Sequence, residues 1–223
     1  MATLDSPTTP TVSVAVDNQN AGRVSIRHLD HTSLVGTSQK VLGHYRVFTI
    51  GATGAIATGL QGFLRYIGPN VLVIHRVYAV VSVVTAVTGQ ATSPLQCFVA
   101  RSYTVADTTA ATAVTLKGAD QAMRSNMGPI GANVQIYNAT ASATVCSGGT
   151  STVDDNAFGA LGLSGVVALG TTDQGDLYKW DQMGMHPLVL QQNEGIQMKW
   201  GTTLATGTAA LGIGFEFAEV AAY

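Results

Sequence analysis

The chain has 223 residues, of which 46% are hydrophobic and only 11% charged; ordinary soluble domains carry about 25% charged residues. That balance excludes intrinsic disorder, which goes with low hydrophobicity and high charge. The net charge of −2 argues against a general nucleic-acid binder, whose electrostatic footprint is a basic face. A surface so short of charge suits a protein that lives packed against copies of itself or a partner.

Residues 1–20 read as an extended N-terminal arm, because Pro7 and Pro10 stand among Thr and Ser in Met1–Thr11 and proline favours extended backbone on either side. No apolar core or basic leader marks a signal peptide there. Val12, Val14 and Val16, then Val24 and Ile26, alternate with small or polar residues and predict two early strands. Val41–Ile50 predicts another, and the Gly-, Ala- and Thr-rich stretch Gly51–Gly62 a loop or loosely specified strand pair.

The densest strand region follows: Phe63–Ile67, Val71–Val80, Val81–Thr88 and Leu95–Tyr103, punctuated by Gly68-Pro69-Asn70 and Gly89–Pro94. The valine-rich tract Val71–Val87 is broken by His75-Arg76, and β-branched residues fit buried strands better than a membrane helix. Lys117–Arg124 is rich in helix formers and predicts about two turns, the only helix expected. Val134–Ile136 and Thr144–Val145 are weaker strands, Gly148–Asn156 a loop, Leu161–Leu169 an apolar glycine-broken run and Thr171–Met185 a polar one. In the terminal block Ile196, Met198 and Trp200 alternate with Gln197 and Lys199. Leu211, Ile213, Phe215 and Phe217 then alternate with Gly212, Gly214 and Glu216, which predicts a closing hairpin joined through Gly201–Ala210. Many short strands with Gly, Pro and Asn punctuation make the fold all-β: a jelly-roll-like antiparallel β-sandwich over residues 21–223, with an extended N-terminal arm and at most one short helix.

No catalytic constellation emerges. Gly162-Leu-Ser-Gly165 lacks the second glycine spacing of a nucleophile elbow. Gly51-Ala-Thr-Gly54 lacks the Lys-Ser/Thr ending of a phosphate loop. His28 and His31 have no third ligand nearby, so they read as polar surface residues rather than a metal site. Cys97 and Cys146 are too few for a disulfide framework and read as small buried hydrophobes. The sequon Asn138-Ala-Thr140 means nothing without a secretory route. Asp173, Asp176 and Asp181 lie among Tyr178 and Trp180, a mixture of carboxylates and aromatics that could bind sugars or calcium, and paired carboxylates can hydrolyse glycosides; the bland reading is a solvated loop with an anchoring tryptophan. The expectation is a non-enzyme with no cofactor and no metal.

The segment His186-Pro-Leu-Val-Leu, then Asn193-Glu-Gly-Ile, then Phe215-Glu-Phe-Ala-Glu-Val-Ala-Ala-Tyr resembles a set of tailed-bacteriophage structural proteins that close with aromatic-x-x-Ala-Glu-Val. Ile74-His-Arg-Val, Ala100-Arg-Ser-Tyr-Thr and Leu116–Met127 fall in the same order as in that set, so the resemblance runs from Phe63 to Tyr223. It implies a virion component, most like a capsid decoration (cement) protein: a homotrimer on the head exterior, bound to the major capsid protein, made in the bacterial cytoplasm, with neither nucleic acid nor membrane as partner. Thr3, Leu4, Pro7, Pro10, Arg23 and Arg27 are the expected capsid or subunit contacts. The alternative is a tail, neck or head-fibre component binding host-surface glycans through Asp176, Tyr178 and Trp180. A glycan hydrolase is the remote third reading.

Overall fold

The computed structural model describes residues 3–4, 12–13, 15–16, 22–23, 41–87, 93–116, 133–163, 170, 172–180, 186–203 and 206–220. The chain divides into two units, Met1–Lys40 and Val41–Tyr223. In the first, β1 (Thr3–Leu4) pairs antiparallel with β2 (Val12–Ser13), and β3 (Ala15–Val16) with β4 (Gly22–Arg23).

The second unit is built from β5 (Val41–Ile50), β6 (Gly59–Tyr66), β7 (Val71–Thr85), β8 (Ser93–Val105), β9 (Ala111–Ala113), β10 (Val134–Ala139), β11 (Thr150–Val153), β12 (Gly159–Leu163), β13 (Thr172–Lys179), β14 (Leu188–Leu190), β15 (Glu194–Trp200) and β16 (Thr208–Val220). One sheet runs β13-β7-β16-β5, with β14 continuing the β13 edge of β7. The other runs β11-β8-β15-β6-β10-β9, with β12 continuing the β11 edge of β8. Both are antiparallel throughout. Taking β11 with β12 and β13 with β14 as one broken strand each, and setting β9 and β10 aside as an addition beyond β6, leaves eight strand positions. In chain order these stand 1-8-3-6 in one sheet and 2-7-4-5 in the other. That interleaving is the jelly roll, two Greek keys wound into a sandwich.

The core lies between the sheets. Leu211, Ile213, Phe215 and Phe217 of β16 face Leu64 and Tyr66 of β6 and Ile196, Met198 and Trp200 of β15, all within 2% of complete burial. Each large apolar side chain so buried contributes about 1.5–3 kcal/mol against the entropy of ordering it. The alternation expected of the last two strands is therefore correct, but their pairing is not. β15 bonds to β6 and β8, β16 to β5 and β7, and the link between them passes from one sheet to the other. A period of two specifies the buried face, not the neighbour; two strands with the same apolar face satisfy it equally well by meeting across the core.

Other boundaries shift for local reasons. The strands expected over Val71–Val80 and Val81–Thr88 merge into one, Val71–Thr85, because no turn residue interrupts it. Thr171–Met185, expected to be a polar run, contains β13, and Thr150–Val153, expected to be loop, is β11; both are edge strands whose sides meet water. Thr144–Val145 is not a strand. The helix expected over Lys117–Arg124 lies outside the described residues.

A second apolar cluster covers the opposite face of the larger sheet. Phe63, one residue out of phase with Leu64, packs with Leu60, Ala100, Tyr103, Ala139 and Cys146. Its rings form a group, Phe63 lying 5.0 Å from Tyr137 and 5.4 Å from Tyr103 between centroids. On the smaller sheet's outward face, by contrast, Arg46, Phe48 and Ile50 of β5 are exposed.

Candidate functional site

On β5, Tyr45 and Val47 point into the core, which turns Arg46, Phe48 and Ile50 outward. The same alternation turns Gly212, Gly214 and Glu216 of β16 outward, and past a bulge at His75 it does so for Arg76, Tyr78 and Val80 of β7. Asp176 on β13 stands opposite Tyr78. Four strands thus bring these side chains to one surface.

Glycine on β16 decides its shape. With no side chain at 212 or 214, rings from both neighbouring strands lie across β16. A Cβ at Gly212 would stand 2.5 Å from the tip of Phe48, and one at Gly214 would collide with the Tyr78 ring. The two rings are parallel within 5°, with centroids 5.9 Å apart. Phe48 remains 49% exposed and Ile50 56%.

Beside the rings lies a charged network. Arg76 Nε donates to Asp176 Oδ1 at 2.6 Å and Nη1 to Glu216 Oε1 at 3.4 Å, while its guanidinium carbon sits 4.6 Å from the Tyr78 centroid. The Asp176 bond above all holds the Arg76 pKa above its ordinary value. Burial raises the Tyr78 phenol, with the Glu216 charge adding to it. A cleft of about 320 Å³ opens here, lined by Arg76, Tyr78, Val80, Gln174 and Asp176. Lys179 and Arg46, in register with Arg76 and Glu216 respectively, stand at the flanks.

Of the residues expected to bind glycans, Asp176 belongs to this surface. Tyr178 does not, because a bulge between Asp176 and Tyr178 breaks the alternation and both Leu177 and Tyr178 pack on the core. The Tyr178 hydroxyl accepts the Leu188 N–H at 2.7 Å, and its ring meets Phe158 edge-on at 5.8 Å. Trp180 donates its backbone N–H to the His75 carbonyl at 2.9 Å, and its ring lies 5.4 Å from that of His75, which in turn lies 4.7 Å from His44. Asp173 pairs with Val81 in register; Asp181 lies outside the described residues. Phe48, Tyr78, Arg76 and Glu216 escaped the sequence reading. The available signal was the glycine at alternate positions of an otherwise apolar strand, which marks a place where something lies close on the backbone.

Of the expected capsid contacts, Thr3 and Leu4 form β1 and Arg23 lies on β4 opposite Ala15. Pro7, Pro10 and Arg27 lie outside the described residues, as do His28 and His31. Among the described residues no three His, Cys, Asp or Glu side chains converge as metal ligands, and no helix is long and apolar enough to cross a membrane. Asn138 of the sequon is buried within β10.

Two buried carboxylates have structural roles. Asp107 Oδ1 accepts the Gly149 N–H at 2.9 Å, and Oδ2 accepts the Tyr103 hydroxyl at 2.7 Å and Gln197 Nε2 at 3.5 Å. This pins the loop segments that cover Phe63 and Cys146. Burial, then the Asp107 bond and charge, drive the Tyr103 phenol far above its usual value. Burial pushes the Cys146 thiol up to about 12 and lowers Lys199, which Asp107 partly restores. Glu219 Oε1 accepts Tyr66 Oη at 2.8 Å, Asn133 Nδ2 at 3.3 Å and Asn70 Nδ2 at 3.4 Å, tying the last strand to two loops at one end of the sandwich.

No known protein family, characterised protein or solved structure matches the chain.

Proposed function

We propose that this protein is a structural component of a bacteriophage particle, a homotrimer that decorates and stabilises the head by binding the outer surface of the major capsid lattice. The strand order 1-8-3-6 over 2-7-4-5 carries the reading. Jelly rolls serve as viral shell domains and as lectins, so the argument from the fold is one of analogy. The charge-poor composition supports it, since close lattice packing leaves little surface to keep wet. Contacts come from the N-terminal unit through Thr3, Leu4, Pro7, Pro10, Arg23 and Arg27. Trimerisation multiplies such weak contacts through effective concentration.

Counting copies per purified virion by quantitative mass spectrometry tests the proposal. Hundreds of copies support a surface lattice; a dozen or fewer place the protein in the tail or neck and refute it. Deleting Met1–Thr11 lowers occupancy on undecorated heads, and unchanged occupancy would remove that segment from the contact. The same strand order favours a second reading, in which copies of this chain tile the shell themselves. Closed particles in electron micrographs of the chain expressed alone would select it.

A further inference from the structure

We propose that the outward face of β13-β7-β16-β5 binds an uncharged pyranose oligosaccharide, stacked on Phe48 and hydrogen-bonded by Asp176, Arg76 and Glu216. The proposal stands independently of the capsid reading.

Its first support is the ring geometry. A sugar ring suits a flat aromatic surface: its C–H face carries positive character and lies flat on the negative face of an aromatic ring. Phe48 and Tyr78 lie parallel within 5° over Gly212 and Gly214, and Phe48 is half exposed.

The second support is the polar rim. Hydroxyl groups need acceptors and donors together, and Asp176, Glu216 and Arg76 supply both, already fixed by their mutual bonds. The adjoining cleft of about 320 Å³ adds the Gln174 amide. Charge complementarity selects the class: Arg76, with Lys179 and Arg46 at the flanks, nearly balances Asp176 and Glu216, and a uronic or sialic acid would set its own carboxylate beside those two, so a hydroxyl-rich neutral chain fits better.

Isothermal titration of the full-length protein with cellohexaose, maltohexaose and chitohexaose, and with hexagalacturonate as the acidic comparison, tests this. We expect saturable binding of at least one neutral hexasaccharide, weakened about tenfold or more by Phe48→Ala and by Gly212→Ala. Asp176→Asn weakens it too. Gly212→Ala keeps every polar group and the fold, because the new methyl meets only the tip of a half-exposed side chain that can swing away. Thermal unfolding of each variant verifies that the fold is kept. Failure of all three neutral probes, preference for hexagalacturonate, or parent-like binding by Phe48→Ala or Gly212→Ala overturns the proposal. So does a Phe48→Ala variant that dissociates an oligomer while leaving saccharide binding intact, since the face would then belong to a protein partner.

Discussion

Asp107→Ala probes the clamp that holds the cover on the larger sheet. The carboxylate is 9% exposed and accepts from three groups: the Gly149 N–H at 2.9 Å, the Tyr103 hydroxyl at 2.7 Å and the more distant Gln197 amide at 3.5 Å. Removing it strands the Tyr103 hydroxyl on a fully buried residue, which costs about 1–3 kcal/mol. The Gly149 N–H, only partly buried, adds about 1 kcal/mol. Gln197 keeps its bond to Ser151 at 3.0 Å and contributes little. The expected loss is about 3 kcal/mol, a fall of about 6–12 °C in Tm for a domain of this size. Tyr103→Phe removes one donor and leaves the others, costing about 1–2 kcal/mol. The two changes remove one shared bond, so the double variant is less destabilised than the sum by about 1–2 kcal/mol. Calorimetry on the four proteins measures all three quantities. A Tm for Asp107→Ala within about 2 °C of the parent, or strict additivity with Tyr103→Phe, refutes the clamp.

Cys97 and Cys146 are both buried, and with the Cys146 thiol near 12 only about one in ten thousand is ionised at pH 8. Iodoacetamide at that pH leaves both unmodified in the folded protein and labels both in urea, as read by intact mass, whereas rapid native labelling of Cys146 would contradict the covered face. Tyr66 and Tyr103 are raised by burial first and then by their carboxylate partners, so the folded state keeps protons that the unfolded chain loses from about the ordinary tyrosine value of 10.0, and from 9.0 for the cysteines. Raised folded values stabilise fully below those pH values and less above them: the urea midpoint holds from pH 7 to 8.5 and declines from about pH 9 upward, and a midpoint rising with pH would refute the assignment.

The layers of the fold were legible in the sequence because burial imposes a period on the side chains. Val41–Ile50 matches β5 residue for residue, and every expected core residue of β15 and β16 is inside. Pairing was not legible, since alternation is indifferent to which strand lies alongside; hence the hairpin that proved to be two strands in different sheets. Polar edge strands such as β11 and β13 carry no apolar alternation: β11 is Thr-Ser-Thr before its single valine, and in β13 the bulge after Asp176 sets its apolar residues, Leu177 and Tyr178, side by side. The site was half legible. Asp176 stood out as a carboxylate among aromatics, but a single bulge sent Tyr178 inward, and its replacements come from strands 100 to 130 residues upstream, at Tyr78 and Phe48. Only packing brings them together.

The broken strands bear on how the protein survives crowding. β7 and β8, the longest partners in each sheet, are each bordered by two short strands laid end to end, and the larger sheet closes at its other side on the three-residue β9. Interrupted borders offer an incoming chain no continuous row of amides and carbonyls to zip onto. Among the described residues the remaining border, β5, is the exception: ten residues long, bonded to β16 alone, and carrying Phe48 and Ile50 in the open. If the concentrated protein ever forms fibres, they should nucleate there, and a lysine at Ile50 should be the cheapest single change that stops them.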